Sequence, residues 1–318
     1  MYWLQSPVDQ RQWIDTTAGA PRAHLKHDIP DMNRFSNARA VTMVAVLCIG
    51  LSAPSAAAGP TERVPEDSAL DHGYSGLYNL DFAAAQRNFS AWEADHPDDP
   101  VGPVSEAAGF LFSEFNRLGI LESQFYANDE TFLARPRLAA DPALRARFQE
   151  AIGRAETLAR ARFAKDPKDR DALFAMTLAS GLQADYAALI DHRTLDSLHY
   201  TKESSTWAAQ LLEVCPDCYD VFLATGFSKY IVGSLYAPFR WLLRLGGLPG
   251  DRQGGIADLQ LTAEHGRYLA PFARILLAIA YVRDKDKPRA IQLLIGLRAQ
   301  FPANPLFARE LVRLQPAP

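Results

Sequence analysis

Two cysteines, Cys215 and Cys218, have the residue type and spacing that are most typical of a chemically active site in this chain. A C-x-x-C pair can form a local disulfide, act as a redox centre when its first thiol is acidified at a helix N-terminus, or supply half of a zinc site. Here the pair follows a helical pattern, Tyr219 stands where a c-type haem site needs histidine, and no second C-x-x-C exists. We therefore expect a disulfide between Cys215 and Cys218. Free thiols, and then redox or metal chemistry, are the alternatives.

Other signatures of catalysis are absent from the sequence. It contains no G-x-S-x-G, H-E-x-x-H or G-x-x-x-x-G-K-[ST] motif. The glycine-rich run 246–255 precedes a helical pattern, and a helix N-terminus can bind an anion. However, the run lacks both the Lys-Ser/Thr pair and a preceding strand, so a connection between helices is the better interpretation. We expect that the protein is not an enzyme and that it binds neither a cofactor nor a metal ion.

A segment rich in aromatic residues and arginine, 226–247, is the best candidate for binding. Trp, Tyr and Arg are the residue types that dominate binding hot spots. The candidate contacts with a partner are Tyr230, Tyr236, Phe239, Arg240, Trp241 and Arg244. Two other interpretations remain: burial in the core, which is the simplest explanation of so much apolar surface, and an amphipathic helix on a membrane surface.

The chain opens with a segment typical of export. A short polar stretch with two arginines, 32–39, precedes an uncharged apolar run of twelve residues, 40–51, and then small residues in an A-x-A pattern. This apolar run is short for a membrane span, which needs about 20 residues. We expect a signal peptide over 32–58 that starts at its methionine and is cleaved near Ala58-Gly59. Residues 1–31 are then an upstream extension or a disordered segment.

Composition indicates an all-helical protein. Of the 318 residues, 48% are hydrophobic and 22% charged, and the formal net charge is -4. Acidic and basic residues are mixed along the chain, without the basic stripe of a nucleic-acid-binding protein. Helix formers dominate and alternating runs of β-branched residues are absent, which predicts an all-α fold. Together with the signal peptide, this predicts a secreted or periplasmic protein that does not bind nucleic acid.

A helical repeat follows the export segment. Small and aromatic residues recur, over 73–97 and again over 274–302, at the spacing of a repeat of two antiparallel helices and about 34 residues. The positions that would pack such helices together or close the repeat are Gly73, Ala85, Phe89, Pro97, Ala278, Tyr281, Ala290 and Pro302. Less regular copies end at Pro167 and Pro216, and a last helix over 304–314 would cap the stack.

These positions resemble the tetratricopeptide repeat (TPR). Residues 70–315 are similar to exported bacterial TPR proteins, most closely over 215–306. The resemblance implies a right-handed α-solenoid, in which each antiparallel helix pair stacks on its neighbours. The irregular repeat spacing predicts insertions around 122–141 and 233–250, and one repeat helix is expected to end at a glycine cap, Gly266.

The resemblance implies a function in binding rather than catalysis, and no catalytic residue is carried over. We expect one TPR-like helical domain over 59–318 that acts as a non-enzymatic scaffold of the cell envelope and binds a protein or peptide. The alternative is an envelope-associated protein that contacts lipid or an apolar ligand through the segment 226–247.

Overall fold

The all-α fold predicted from composition is confirmed: helices make up the described part of the chain, and no strand occurs in it. The computed structural model describes residues 67–122, 139–234, 241, 243–245 and 247–314. The helices are α1 (Ala69–Tyr78), α2 (Phe82–Asp95), α3 (Val101–Arg117), α4 (Pro142–Lys165), α5 (Arg170–Leu189), α6 (Thr194–Val214), α7 (Phe222–Gly233), α8 (Arg252–His265), α9 (Ala270–Arg283), α10 (Lys287–Gln300) and α11 (Pro305–Leu314), with a 3-10 helix, Tyr219–Val221, before α7. Residues 241 and 243–245 are also helical.

Several predictions fall outside these residues. They are the upstream extension over 1–31, the signal peptide over 32–58 and most of the insertion around 122–141. All residues that the structure describes belong to one compact unit of the chain. The last helix of that unit, α11, begins and ends as the sequence predicts, with Asn304 accepting a hydrogen bond from the backbone N–H of Leu306 at 2.9 Å.

Short polar side chains determine where most helices begin. In each case the side-chain oxygen of the residue before the helix accepts a hydrogen bond from a backbone N–H of the first turn, which has no partner within the helix. These N-cap residues are Ser68, Asp81, Asp141, Asp169, Asp251 and Asp286. The repeated caps divide the chain into helices of ten to 24 residues that can fold back on one another.

The helices pack as a series of neighbours. Each helix from α1 to α11 contacts the next along the chain, and α3 also contacts both α1 and α5. A contact that skips one helix is what stacked pairs produce, because the first helix of one pair lies against the first helix of the next. The described helices therefore pack mainly on their neighbours in sequence, and α3 packs in addition on α1 and α5.

The positions that the repeat pattern singles out lie at helix–helix contacts. Ala85, Phe89 and Ala290 have no exposed surface, and Ala278 and Tyr281 are also buried. Glycine is required at position 73 because α1 and α2 approach each other closely there, and a Cβ atom would lie 2.2 Å from the Phe89 ring. The two closing prolines, Pro97 and Pro302, are exposed in the turns that follow α2 and α10. Small residues thus let the paired helices approach, and the prolines lie where those helices have ended.

One feature departs from a stack in which each pair contacts only its neighbours. The start of the helical series contacts its end, through side chains separated by about 190 to 226 positions in sequence. The contacting residues are Asp71, Tyr74 and Tyr78 of α1, with Arg267, Tyr268 and Asn304. We call this set the closure contact. An open rod, as the repeat pattern predicts, would leave both ends free.

Candidate functional site

The turn after α6 contains a disulfide between Cys215 and Cys218, whose Cα atoms are 5.4 Å apart. Cys215 is buried in a small apolar cluster with Leu173, Leu211 and Val221. Closing a loop this short stabilises a fold by about 2 kcal/mol at most in the loop-entropy description. Within the part of the chain that the structure describes, no group of three or more His, Cys, Asp and Glu side chains could hold a metal ion.

A partly buried carboxylate, that of Asp220, lies two residues after the disulfide. Its two oxygens accept hydrogen bonds from the backbone N–H groups of Arg267, Tyr268 and Leu269, at 3.1, 3.1 and 2.9 Å. Burial raises the pKa of Asp220 above its usual range, although these three bonds favour the ionised form. The carboxylate thereby binds the N-terminal end of α9, where backbone N–H groups lack helical partners.

Gly266 ends α8 as the sequence predicts, but not for the expected reason. Its φ is -65°, so the cap is not the left-handed turn that commonly selects glycine. Instead, a Cβ atom there would lie 2.6 Å from Oδ1 of Asp220. The absence of a side chain at Gly266 is what lets Asp220 reach the start of α9. The role of Asp220 could not be predicted from the sequence, because a single aspartate after a turn carries no signal of its partner.

The closure contact depends on the same end of α9. The Arg267 guanidinium binds the Asp71 carboxylate through Nη2–Oδ2 and Nε–Oδ1 distances of 2.7 and 3.1 Å. Burial raises the pKa of Asp71, but the hydrogen bonds from Arg267 and Ser68 and the charge of Arg267 together outweigh it, so the pKa is lowered overall. Asp71 is therefore ionised at neutral pH and holds α1 against the α8–α9 turn.

Aromatic rings fill the space beside this ion pair. The rings of Tyr74 and Tyr268 stack with centroids 4.9 Å apart, and the Tyr74 hydroxyl lies 2.9 Å from that of Ser105. Tyr78 donates its hydroxyl proton to the backbone carbonyl of Tyr268 at 2.8 Å. Burial raises the pKa of all three tyrosines. The three hydroxyls therefore stay protonated at neutral pH, and the one of Tyr78 joins α1 to the α8–α9 turn.

The structure divides the aromatic segment 226–247. Tyr230 is only 5% exposed and lies beside Arg252, whose guanidinium carbon is 5.9 Å from the ring centroid. It is thus a core residue and cannot meet a partner at the surface as the sequence suggests. Trp241 and Arg244, by contrast, are exposed. Tyr236, Phe239 and Arg240 lie outside the described residues.

Close helix packing explains why Tyr230 is buried and why the following region is rich in glycine. A Cβ atom at Gly255 would lie 2.5 Å from the backbone nitrogen of Tyr230, and one at Gly250 would lie 2.6 Å from that of Gly233. Asp251 also caps α8 with its own carboxylate, which accepts the Gly254 N–H at 2.9 Å. The glycine-rich run therefore brings backbones together, and its helix N-terminus already has an anionic partner.

An exposed apolar surface remains on the short helical stretch that follows. Trp241 is 64% exposed and Leu245 is 66% exposed, and one helical turn separates them. Arg244 is exposed beside them, and Lys202 of α6 lies within van der Waals reach of Gly247. We call these four residues the Trp241 surface: Trp241, Arg244, Leu245 and Lys202. Of the candidate contacts that the structure describes, Trp241 and Arg244 are the exposed ones.

A second opening lies at the other end of the chain, between α2 and α4, with α3 as its floor. This groove has a volume of about 410 Å³ and is lined by polar and charged side chains from the three helices. Arg154 of α4 crosses it to bind the carboxylates of Glu93 and Glu106. The groove could not be predicted from the sequence, because its charged residues have the ordinary spacing of helix surfaces.

The described helices include none that is long and apolar enough to cross a membrane. No protein-family model, curated protein or solved structure matches this chain.

Proposed function

We propose that this protein is a non-enzymatic scaffold of the cell envelope that binds a protein or peptide on TPR-like helix pairs. The stacked pairs and the buried small residues at Gly73, Ala85 and Ala290 support a TPR-like, right-handed solenoid with insertions. A disulfide between Cys215 and Cys218 supports function after export, since such bonds persist in oxidising compartments.

The single observation that carries the proposed binding role is the exposure of Trp241. A tryptophan side chain that is 64% exposed, with Leu245 on the same helix face, leaves a large apolar area in water. Trp and Arg dominate the energetics of protein interfaces, where an apolar centre is surrounded by polar groups. Trp241 supplies such a centre, and Arg244 supplies a cation three residues along the same helical stretch, while Lys202 lies beside Gly247 at the end of that stretch.

The charge of this surface selects the partner. The stretch 240–248 contains no acidic residue, whereas the whole chain has a net charge of -4. Charge complementarity guides association and excludes partners of like charge. The partner is therefore an acidic peptide segment that carries an apolar side chain, with the apolar group on Trp241 and the carboxylates near Arg244 and Lys202.

The closure contact argues against another location for the peptide. Helical solenoids commonly bind their partners on the concave surface that the curvature of the stack creates. Here the rings of Phe112 in α3 and Phe272 in α9 are in edge contact at 5.2 Å, and Tyr74 stacks on Tyr268. Side chains of the protein itself fill the space between these helices, so an extended peptide would have to displace them.

Site-specific crosslinking tests this proposal. A photoreactive amino acid at position 241 should capture a partner whose crosslinked segment is acidic, while the same group at Ile295, which is exposed on α10, should not. A synthetic peptide of that segment should bind the purified protein, bind more weakly in high salt, and lose about tenfold or more in affinity to the Trp241→Ala variant but not to Ile295→Ala.

Two outcomes would contradict the proposal. Equal capture from positions 241 and 295 would show that the Trp241 surface has no selective partner. Flotation of the protein with anionic phospholipid vesicles, abolished by Trp241→Ala while the peptide does not bind, would assign the surface to lipid instead. This second outcome is the envelope-associated function that the aromatic and cationic residues of 226–247 also fit.

A further inference from the structure

The disulfide turn, 215–218, is joined to the α8–α9 turn through the two residues that follow it. The backbone carbonyl of Tyr219 accepts a hydrogen bond from Oγ1 of Thr262 at 2.8 Å. The carboxylate of Asp220 accepts hydrogen bonds from the backbone N–H groups of 267–269. The residues after the disulfide therefore contact both the last turn of α8 and the start of α9.

The same segment, 267–269, makes the bonds that reach α1. The Arg267 guanidinium pairs with the Asp71 carboxylate, and the backbone carbonyl of Tyr268 accepts the hydroxyl proton of Tyr78. Each step from the disulfide turn to α1 is thus a direct hydrogen bond or ion pair. A change in the turn that displaces Asp220 would reach the closure contact through two such steps.

The two sulfur atoms of the disulfide lie in different surroundings. Cys215 is only 2% exposed and lies within a small apolar cluster, whereas Cys218 is partly exposed. Reduction of a disulfide starts when a thiolate attacks a sulfur atom that it can reach. The attack therefore takes place at Sγ of Cys218, and the sulfur of Cys215 is the leaving group.

The structure also provides a hydrogen-bond acceptor that only the reduced form can use. Oδ1 of Asp217 lies 3.3 Å from Sγ of Cys215. In the disulfide this sulfur has no proton to donate, whereas the thiol that forms on reduction can donate one to that oxygen. The contact therefore favours the reduced form, and it distinguishes this disulfide from one that only stabilises a turn.

We propose that the Cys215–Cys218 disulfide is a redox switch, which holds the closure contact when oxidised and releases it when a dithiol reduces it. One thiolate of the dithiol attacks Sγ of Cys218, the bond between the two protein sulfurs breaks, and Sγ of Cys215 takes a proton. The second thiolate of the dithiol then attacks the mixed disulfide and releases Cys218 as a thiol. The dithiol supplies both electrons and both protons and becomes a disulfide. The switch does not depend on the Trp241 surface.

A thiol–disulfide equilibrium tests the role of Asp217. The complete mature chain is equilibrated with mixtures of reduced and oxidised dithiothreitol, and alkylation followed by mass spectrometry measures the reduced fraction of Cys215 and Cys218. We expect reversible reduction of the folded protein. Asp217→Ala should shift the equilibrium constant toward the disulfide by about threefold or more, because the reduced form loses its acceptor. Glu213→Ala is the matched control and should shift it less, since Glu213 is a nearby exposed carboxylate that accepts no hydrogen bond from either cysteine.

Amide hydrogen exchange tests the release of α1. Reduction should raise the exchange rates of α1 and of residues 267–273 together, by about three- to tenfold. Exchange over α4, which packs on α3 and α5, should stay unchanged. The double variant Cys215→Ala/Cys218→Ala should exchange like the reduced protein and should not respond to dithiothreitol. If this variant does not fold, reduction of the unchanged protein still decides.

Four outcomes would overturn the proposal. Two concern the equilibrium: a disulfide that dithiothreitol cannot reduce while the protein is folded, and equal shifts in Asp217→Ala and Glu213→Ala. The other two concern exchange after complete reduction. Unchanged exchange over α1 would show that the disulfide does not control the closure contact, and an equal rise over α1 and α4 would indicate a general loss of stability instead of a local release.

Discussion

Asn304 offers the sharpest test of the closure contact, because its side chain makes two separate hydrogen bonds, one that caps α11 and one to α1. Its Oδ1 accepts the Leu306 N–H at 2.9 Å and caps α11, while its Nδ2 donates to the backbone carbonyl of Tyr78 at 2.9 Å. That carbonyl lies in the last turn of α1, where helical partners are missing. Replacing Asn304 by alanine therefore removes a cap and leaves a buried acceptor without its donor.

The expected loss of unfolding free energy can be estimated for each of the two hydrogen bonds. An N-cap contributes about 1 kcal/mol, and a buried carbonyl that loses its partner adds about 1–2 kcal/mol. Asn304→Ala should lower the free energy of unfolding by about 2–3 kcal/mol. Asn304→Ser should lower it by only about 1–2 kcal/mol, because serine still caps the helix but is too short to reach Tyr78.

Urea denaturation and amide hydrogen exchange measure the two effects. Both variants should increase exchange over α1, which lies 226 positions away in sequence. Asp286→Ala is the control, since Asp286 caps α10 without contacting α1. The free energy of unfolding of this variant should fall by about 1 kcal/mol, and amide exchange over α1 should stay unchanged. If Asn304→Ser is as stable as the unchanged protein and α1 exchanges at the same rate, the closure contact does not hold the ends together.

Two further predictions concern the packing and the ion pair of α1. Gly73→Ala should lower the free energy of unfolding by about 1–3 kcal/mol because its Cβ would overlap the Phe89 ring. Gly153→Ala, on an exposed helix face with no atom within 4 Å, should instead raise it by about 0.5–1 kcal/mol, and urea denaturation distinguishes these signs. The lowered pKa of Asp71 means that its pairing with Arg267 stabilises the fold above about pH 4 and is lost as the pH falls below that value. The stability difference between the unchanged protein and Asp71→Asn should therefore shrink on going from pH 6 to pH 3, and a constant difference would contradict this reasoning.

The helices and their close contacts could be predicted from sequence because their causes are local. The spacing of Gly73, Ala85 and Phe89 reflects one helix pair, and Asn304 precedes a short apolar pattern that ends at Leu314. Capping residues and small-residue spacing act over a few turns, so a single stretch of sequence contains the whole signal.

The closure contact and the groove could not be predicted, because each joins residues whose relation is set by the whole fold. Tyr78 and Tyr268 are ordinary aromatic residues of two helix ends, and nothing near either one indicates the other. Tyr230 shows the same limit within a single segment. Its aromatic neighbours suggested a binding surface, but the glycines that bring α7 and α8 together place it in the core.

A stack whose ends meet differs energetically from an open one. In an open series of repeats, stability is approximately a sum over neighbouring pairs, and the terminal pairs open first. Here α1 can separate from α2 and α3 only if the bonds from Tyr78 to Tyr268 and from Asn304 to Tyr78 also break. Asp220 links that event to the disulfide turn, because it holds the backbone of Tyr268 in place. The first helix should therefore open together with the start of α9 rather than alone, so the exposed surfaces of this protein are presented by a closed series of helices.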